Sequence, residues 1–575
     1  MSTYGEVKTW SATDLEAAAD DLVARSARLQ GLQDELEAAN RTLLWTGQAA
    51  DAAATAHGGL YERVRRLVAQ VGAVRTALDE AGDSVQALRA LITEAAFYAA
   101  RNQFVITSDG AVRDNLPPKT VLTAEENADR TRAFTEICDQ IQQTMSTAAD
   151  VDADVAAVMM RAVHDEIDDG VFPGLGNADN AGAAEGGLTP GAPPTSASPF
   201  DNAAWWDSLS EQQQADILAE HPEWVGNLDG IPGAVRSEAN LAQLDDQRAT
   251  LVAREQQLIA DLDDNWFGGT FTNADAELAD IRAKIASVDA VSKVMAQGDR
   301  QLLLLDLSGE RAEAAISYGD IDTADHLSVF TPGLNTTVDG STGSYDEQNR
   351  RLNDEATDQL DRNGDGGTVA TVTWIGYQAP QAHNPDWTSP GSIWDNANGV
   401  QQVANDDTAR AGGAALTSFL NGIDASRPTD PHLTALGHSY GSLTTSYGLQ
   451  GGTGVDDAVL FGSPGFGTDD VTDLNVDPGH AYLMEAAEDP VADFGAFGEH
   501  PSLMPGVTHL DTSGGLTPDG RTLDASHGHS EYYDDAHRHT LSAYNMAAIV
   551  SGHPHAAVYG RNVDIGDALR GELPG

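Results

Sequence analysis

The sequence is poor in cysteine and in positive charge. A single cysteine, Cys138, stands among 575 residues. One thiol cannot close an internal disulfide or supply a four-thiolate metal site, so neither crosslinks nor a zinc ribbon holds the chain together. Lysine occurs four times, at Lys8, Lys119, Lys284 and Lys293, and the basic residues total 32 against 89 acidic ones, a formal charge of −57. Such a surface repels nucleic-acid phosphates and anionic lipid, which excludes nucleic acid as an expected partner. The sequence has no run of 18 apolar residues, so no transmembrane segment is expected. The start "MSTYGEVKTWSATDLEAA" lacks the basic head and apolar middle of a Sec signal peptide. The expected location is therefore cytoplasmic, or outside the cell by a route other than Sec.

Helical periodicity dominates the first part of the chain. Between Ser11 and Asn40, Leu15, Ala18, Leu22, Leu29, Leu32 and Leu36 follow a three-and-four spacing, interrupted near Arg25 and Ser26. "WTGQ" at Trp45 to Gln48 breaks that pattern, which resumes through "AADAAATAHGGLYERVRRLVAQ" and beyond and predicts two antiparallel helices around a turn. "QFVITSDGAVR" reads as a short hairpin, and a further helix, containing Cys138, covers Ala124 to Asp165. Residues 1–168 are thus expected to form an all-α helical module. Residues 169–199 are rich in Gly, Pro, Ala and Ser and read as a flexible linker. The next segment, 200–300, opens on Trp205 and Trp206, carries a Ser-x-x-Gln helix start at Ser210 and Gln213, and continues as two long helices.

From 301 to 575 short apolar runs alternate with helical stretches. "QLLLLDLS" and "AEAAISYGD" read as a strand pair, and "HLSVFTPG", "TVATVTWIGY", "HLTALGHS", "DAVLFGSPG" and "HAYLMEAAED" as further strands. This alternation predicts an α/β fold with a mostly parallel sheet covered by helices on both faces.

One of those strands runs into "GHSYGS". A nucleophile elbow needs a strand, a tight turn and a helix, with small residues two before and two after the serine; Gly437 and Gly441 flank Ser439 in this way. In such folds a carboxylate and then a histidine follow the serine in chain order. Asp489 lies just past a later strand and before Pro490, with Glu485, Glu488 and Asp493 as rivals. The C-terminal run offers His527, His529, His537 and His539; a base carried on a loop ahead of the last helix favours His529. The oxyanion donors are expected from the backbone N–H of Tyr440 and, after the strand "VFTPG", of Leu334, with Gly333 allowing close approach. The His and Asp spacings match no zinc pattern, and "DRNGDGG" opens like a calcium loop but has Val372 where the bidentate glutamate belongs. Neither metal nor cofactor is expected. The aromatic-bearing stretches "QAHNPDWTSPGSIWDN" and "FGAFGEHPSLMPGVTHL" are candidate lid loops.

These motifs carry two resemblances. From about residue 200 onward the chain resembles an actinobacterial α/β-hydrolase family of largely uncharacterised function. The shared features are Trp205–Trp206 with Leu209–Ser210, the run Gly226 to Pro232 with Arg236, Ala239 and Asn240, the Pro332–Gly333 turn, and the strand end Trp374, Gly376, Tyr377, Ala379, Pro380. They continue through "GHSYGS", "GSPG", "DPV" and "GHSEYY". The resemblance implies a serine hydrolase of esterase or lipase type acting on a small-molecule or lipid ester. On it, Gly333, Trp374 and Tyr377 are expected at the substrate. The first part is similar to Trp-x-Gly helical-hairpin substrates of type VII secretion, with "WTG" between two long helices. That similarity implies self-association or partner binding through the N-terminal helices, and the alternative reading of the whole chain is an interaction or secreted effector protein with a secondary or inactive hydrolase domain.

Overall fold

The architecture comes from a computed structural model that describes residues 2–41, 46–117, 120–264, 273–381, 406–492 and 497–560, with gaps of one or two residues at 121, 123, 173, 196–197, 365, 499 and 535–536. The chain divides into two compact units, Met1–His221 and Pro222–Gly575.

The first unit is built on helices α1 (Tyr4–Val7), α2 (Ala12–Arg41), α3 (Gln48–Arg101) and α4 (Ala124–Val163), with a hairpin of β1 (Phe104–Ile106) and β2 (Val112–Asp114) between the last two. The expected pair of long helices and the hairpin are present. Trp45, at the centre of the Trp-x-Gly motif, lies outside the described residues. Along α3, Val68, Ala69, Ala73, Ala77 and Ala81 recur on one face and are buried against Val151 and Val158 of α4. Farther along, Leu88 and Ile92 meet Ile137, Ile141, Phe104 and Tyr4.

The expected linker is different from its reading. Within residues 169–199, α5 (Leu175–Ala184) lies against α3, and Leu175, Ala178 and Leu188 are buried in the core of the unit. A Cβ on Gly182 would collide with the Ala69 carbonyl, and one on Gly72 would lie 2.5 Å from the Asp179 carbonyl. The small residues that resemble a flexible composition here permit two helix backbones to approach closely. Asp179, also buried, accepts from Ser26 Oγ at 2.7 Å and pairs with Arg75 at 3.1 Å, which fixes α5 to both long helices. Two more helices complete this unit, α6 (Pro199–Asp207) and α7 (Glu211–Glu220). Each starts with a capping box, at Ser198/Asp201 and Ser210/Gln213. Trp205 and Trp206 are therefore buried in the first unit, apart from the remainder of the 200–300 segment.

In the second unit α8 (Gly233–Asp264) and α9 (Asn273–Met295) precede an eight-stranded sheet. Its strands are β3 (Arg300–Asp306), β4 (Glu313–Tyr318), β5 (His326–Thr331), β6 (Val369–Ile375), β7 (His432–His438), β8 (Asp457–Phe461), β9 (Ala481–Met484) and β10 (Thr508–His509). Their spatial order is β10-β9-β8-β7-β5-β6-β4-β3, parallel except where β4 runs against β3 and β6. Alternate side chains leave on opposite faces. Leu327, Val329, Leu433, Ala435, Ala458 and Leu460 join a core under α11 (Asp407–Ala425) and α12 (Tyr440–Gln450). On the other face Phe330, Leu436, Val459 and Phe461 pack beneath α10 (Val338–Asn363) and α13 (Leu541–Val550). Burial on both faces is why these strands read as mostly apolar runs without regular polar alternation.

The strand order reverses between β5 and β7: β5 leads through α10 to β6 on one side, and β7 returns to its other side. Carboxyl ends at such a switch point open a crevice between diverging connections. The segment "DRNGDGG" ends α10, with Gly364 in the left-handed region, and turns into β6. The first candidate lid falls almost wholly within residues 382–405, outside the described residues. The second is corrected in part: Met504 and Val507 are core residues and Thr508–His509 is strand β10, so that portion is built into the sheet. Among the described residues no helix is long and apolar enough to cross a membrane.

Candidate active site

Ser439 stands between the last residue of β7 and the first of α12, with φ 57° and ψ −133°. A non-glycine residue held there costs about 1–3 kcal/mol and persists only when its surroundings over-determine it. They do so here. The Ser439 N–H donates to the Phe461 carbonyl at 3.0 Å, and the Ser439 carbonyl accepts from the N–H and Oγ of Ser442 at 2.9 and 2.6 Å. Ser442 Oγ is also 2.7 Å from Ser463 Oγ. Gly441 has no room for a side chain because a Cβ would run into the carbonyls of Thr331 and Pro332, and one at Gly437 would lie 2.7 Å from Cα of Ser442. The elbow expected from Gly-x-Ser-x-Gly is thus formed, and Ser439 is 5% exposed.

The chain after β5 crosses directly over this turn. A Cβ added to Gly333 would lie 2.7 Å from Ser439 Cβ, 2.8 Å from the His438 carbonyl and 2.9 Å from the Tyr440 nitrogen. The Pro332–Gly333 turn and the Tyr440 N–H therefore share one small region, with Leu334 next in line. The turn is braced from β6: Tyr377 Oη donates to the Pro332 carbonyl at 2.7 Å, and the Asn335 N–H donates to the Pro380 carbonyl at 2.9 Å. Trp374 is 1% exposed and stacks on Tyr377 at 6.0 Å between ring centres. Trp374 and Tyr377, expected at the substrate, are both core residues: they stack on each other, and Tyr377 supports the Pro332–Gly333 turn beside Ser439. Burial raises the Tyr377 phenol far above its ordinary value, so it remains a donor.

Asp489 follows β9, in a turn where Glu488 takes a positive φ of 64°. Its carboxylate lies 2.9 and 3.1 Å from Nδ1 of His529. Oδ1 accepts from the N–H groups of Val491 and Ala492 at 3.0 and 3.3 Å, and Oδ2 from the Tyr532 hydroxyl at 2.6 Å. Burial opposes the charge on Asp489, but the hydrogen bond and positive form of His529, aided by Tyr532, outweigh it and hold the carboxyl below its ordinary range. The pair is 1% and 6% exposed. Gly462 leaves space for it, since a Cβ there would be 3.0 Å from Asp489 Oδ2 and 3.2 Å from the His529 ring. The ring of His529 in turn lies against His438, the residue before Ser439, at 4.7 Å between centroids.

The rival groups are elsewhere. His527 and His539 are exposed, the latter against Asp534 at 2.8 Å, and Glu485 bonds Ser502 at 2.5 Å. Sequence reasoning assigned no role to His438, Ser442, Ser463 or Tyr532, although each sits in a run it singled out: "GHSYGS", "GSPG" or "GHSEYY". Burial and the neighbouring His529 push the His438 imidazole down to about 3, so it stays neutral beside the pair. Among the described residues no group of three or more His, Cys, Asp or Glu is placed to hold a metal ion.

A family model described as α/β hydrolase matches residues 308–499, a stretch that includes the Gly333 turn, the elbow and Asp489. An uncharacterized protein of Mycobacterium tuberculosis is 34% identical over 274 residues, spanning 46% of this chain and 94% of that protein. The chain belongs to this α/β hydrolase family. An uncharacterized protein of Mycobacterium bovis matches the chain equally well, at 34% over 274 residues. A second M. tuberculosis protein, also uncharacterized, is 29% identical over 400 residues, covering 61% of this chain and 55% of its own length.

Proposed function

We propose that this α/β hydrolase is a serine hydrolase that cleaves carboxylic esters through an acyl-enzyme, with Ser439 as nucleophile, His529 as base and Asp489 as its acid partner. The observation that carries the reading is the buried Asp489–His529 pair, whose imidazole lies against the residue preceding Ser439. With Nδ1–H committed to Asp489, Nε2 is the ring atom available to take the serine proton. Ser439 Oγ then bonds to the ester carbonyl carbon, and the oxygen of that carbonyl gains negative charge. The N–H groups of Tyr440 and Leu334, on the two chain segments that meet at Gly333, are the proposed donors to it. As the tetrahedral intermediate collapses, the C–O bond to the alcohol breaks and His529 returns its proton to the departing oxygen. Water, deprotonated by His529, attacks the acyl-serine; the bond from the carbonyl carbon to Ser439 Oγ breaks, Oγ recovers its proton from His529, and the carboxylic acid leaves.

Ser439→Ala is the direct test. It should abolish turnover of a short p-nitrophenyl ester and labelling by a fluorophosphonate; labelling that persists would refute the assignment.

A second reading concerns the first unit alone. Val171 and Phe172, adjacent in sequence, are 88% and 70% exposed, which supports a docking role for this unit in addition to the chemistry of the second. Export by a type VII route belongs to that reading, and deletion of the whole first unit, residues 1–221, followed by probe labelling and partner capture would separate the two roles.

A further inference from the structure

Asp489 receives hydrogen bonds only from donors among the described residues: the N–H groups of Val491 and Ala492, His529 Nδ1 and the Tyr532 hydroxyl. The hydroxyl deserves closer accounting. It carries one proton and has two partners, Asp489 Oδ2 at 2.6 Å and the backbone N–H of Ala486 at 2.9 Å. An amide N–H can only donate, so it occupies a lone pair of the phenolic oxygen and leaves the proton directed at Asp489. Tyr532 is itself 1% exposed, packed against Phe461 at 5.2 Å between ring centres, and has no freedom to turn away. A protonated Asp489 would have to aim its own O–H at one of these donors. The arrangement is satisfied by the carboxylate alone.

His529 is also held through its backbone. His438 Nε2 lies 2.8 Å from the His529 carbonyl, an acceptor, so His438 keeps its proton on Nε2 and its ring uncharged beside His529. The titratable groups facing the pair are therefore His438 from β7 and Tyr532 from the 529–533 segment, with Glu485 from the end of β9 acting on Tyr532.

We infer that Tyr532 is a positioning residue for the base: its hydroxyl, oriented by the Ala486 N–H, keeps both Asp489 oxygens as acceptors and so sets the direction and charge of the carboxylate that faces His529. This rests on the serine-hydrolase reading above. Tyr532 shares the negative charge of Asp489 through its proton. Without that proton more charge faces the imidazolium, which then persists to higher pH and leaves less free base near neutrality.

The test uses the full chain, a short p-nitrophenyl ester across pH 5 to 9, and kcat normalised to the fraction labelled by a fluorophosphonate, so that misfolded protein does not count. Tyr532→Phe keeps the ring and removes the proton. It should lower kcat roughly tenfold with KM within about twofold, and move the acid limb of kcat/KM upward by several tenths of a unit. Tyr533→Phe is the control: the neighbouring hydroxyl is buried, has no hydrogen bond among the described residues, and should change neither quantity. The inference is overturned if Tyr532→Phe retains the wild-type limb and kcat while only its melting temperature falls, or if Tyr533→Phe acts equally. An active wild type with an unchanged Tyr532→Phe overturns this inference alone; a wild type inert toward ester and probe overturns the hydrolase reading with it.

Discussion

Gly333 offers a perturbation whose size can be worked out from distances alone. Its φ is not in the left-handed region, so alanine carries no intrinsic backbone strain there and any effect of Gly333→Ala comes from the space a methyl group needs. That space is occupied at 2.7 Å by Ser439 Cβ, at 2.8 Å by the His438 carbonyl and at 2.9 Å by the Tyr440 nitrogen. An ordinary contact for such atoms is about 3.5–4.0 Å, so something must shift by roughly 1 Å. None of the three is the end of a flexible side chain. The elbow is pinned by the Ser439 N–H to Phe461 and by Ser442, and the turn by Tyr377, so the strain is shared between two braced segments. Overpacking of this kind costs about 1–3 kcal/mol. A displacement near 1 Å between nucleophile and oxyanion donors costs on the order of a hundredfold in rate. Gly333→Ala should therefore melt at a slightly lower temperature yet lose most of its rate of labelling by a fluorophosphonate. Gly343→Ala is the matched control, because Gly343 lies inside α10 with nothing within 4 Å of an added Cβ. It should gain about 0.5–1 kcal/mol in urea unfolding and keep its labelling rate. If Gly333→Ala labels as fast as wild type, the turn does not lie over the serine in solution and the proposed second oxyanion donor at Leu334 is lost with it.

Two further predictions concern stability. Gly182→Ala should destabilise the first unit by about 1–3 kcal/mol in denaturant unfolding, because its Cβ would meet the Ala69 carbonyl; an unaffected midpoint would restore the flexible-linker reading of 169–199. The second is a pH effect at the amino ends of the strands, where His432 contacts Asp457 at 3.1 Å and the Ile549 carbonyl at 3.1 Å. Burial lowers its basicity, but Asp457, Ile549 and Asp456 together outweigh that and raise its pKa above the ordinary value. A raised pKa means that the folded state holds the proton more tightly, so the stabilisation is fully present below about pH 6.5 and is lost as pH rises through the folded value. His326, 5.5 Å away, is shifted down by burial and by His432, and works in the opposite sense. His432→Gln removes the first effect together with the part of the His326 shift that His432 causes: where the first is the larger, the gap in urea midpoint between wild type and variant should narrow as pH rises from about 5 to 8, and a gap that widens would refute the sign.

How much of this was legible beforehand depends on the range of the interaction. Ser439 could be read because the elbow is local: Gly437, Gly441 and an adjoining strand and helix all lie within ten residues, and steric need leaves a mark at each position. The sheet was legible for the same reason, since double-sided burial leaves the interiors of β5 to β9 apolar but for small hydroxyl residues such as Ser328, Thr371 and Thr434. Asp489 and His529 are 40 residues apart and could be proposed only from chain order; what separates His529 from His527 is burial against a partner, which no local pattern encodes. Trp374 and Tyr377 could be singled out only through the resemblance, because an aromatic pair at a strand end has the same sequence appearance whether it faces a cleft or stacks inward, and only the tertiary fold shows Tyr377 bonded to the Pro332 carbonyl. The misreading of 169–199 has the same root. Glycine and alanine lower the cost of disorder and equally the distance at which two helices can pack, and composition does not distinguish them until Ala69 is seen opposite Gly182. Tyr532 is the sharpest case: its role depends on an amide at Ala486, a group every residue but proline possesses, so nothing in the sequence could mark which one would orient its proton.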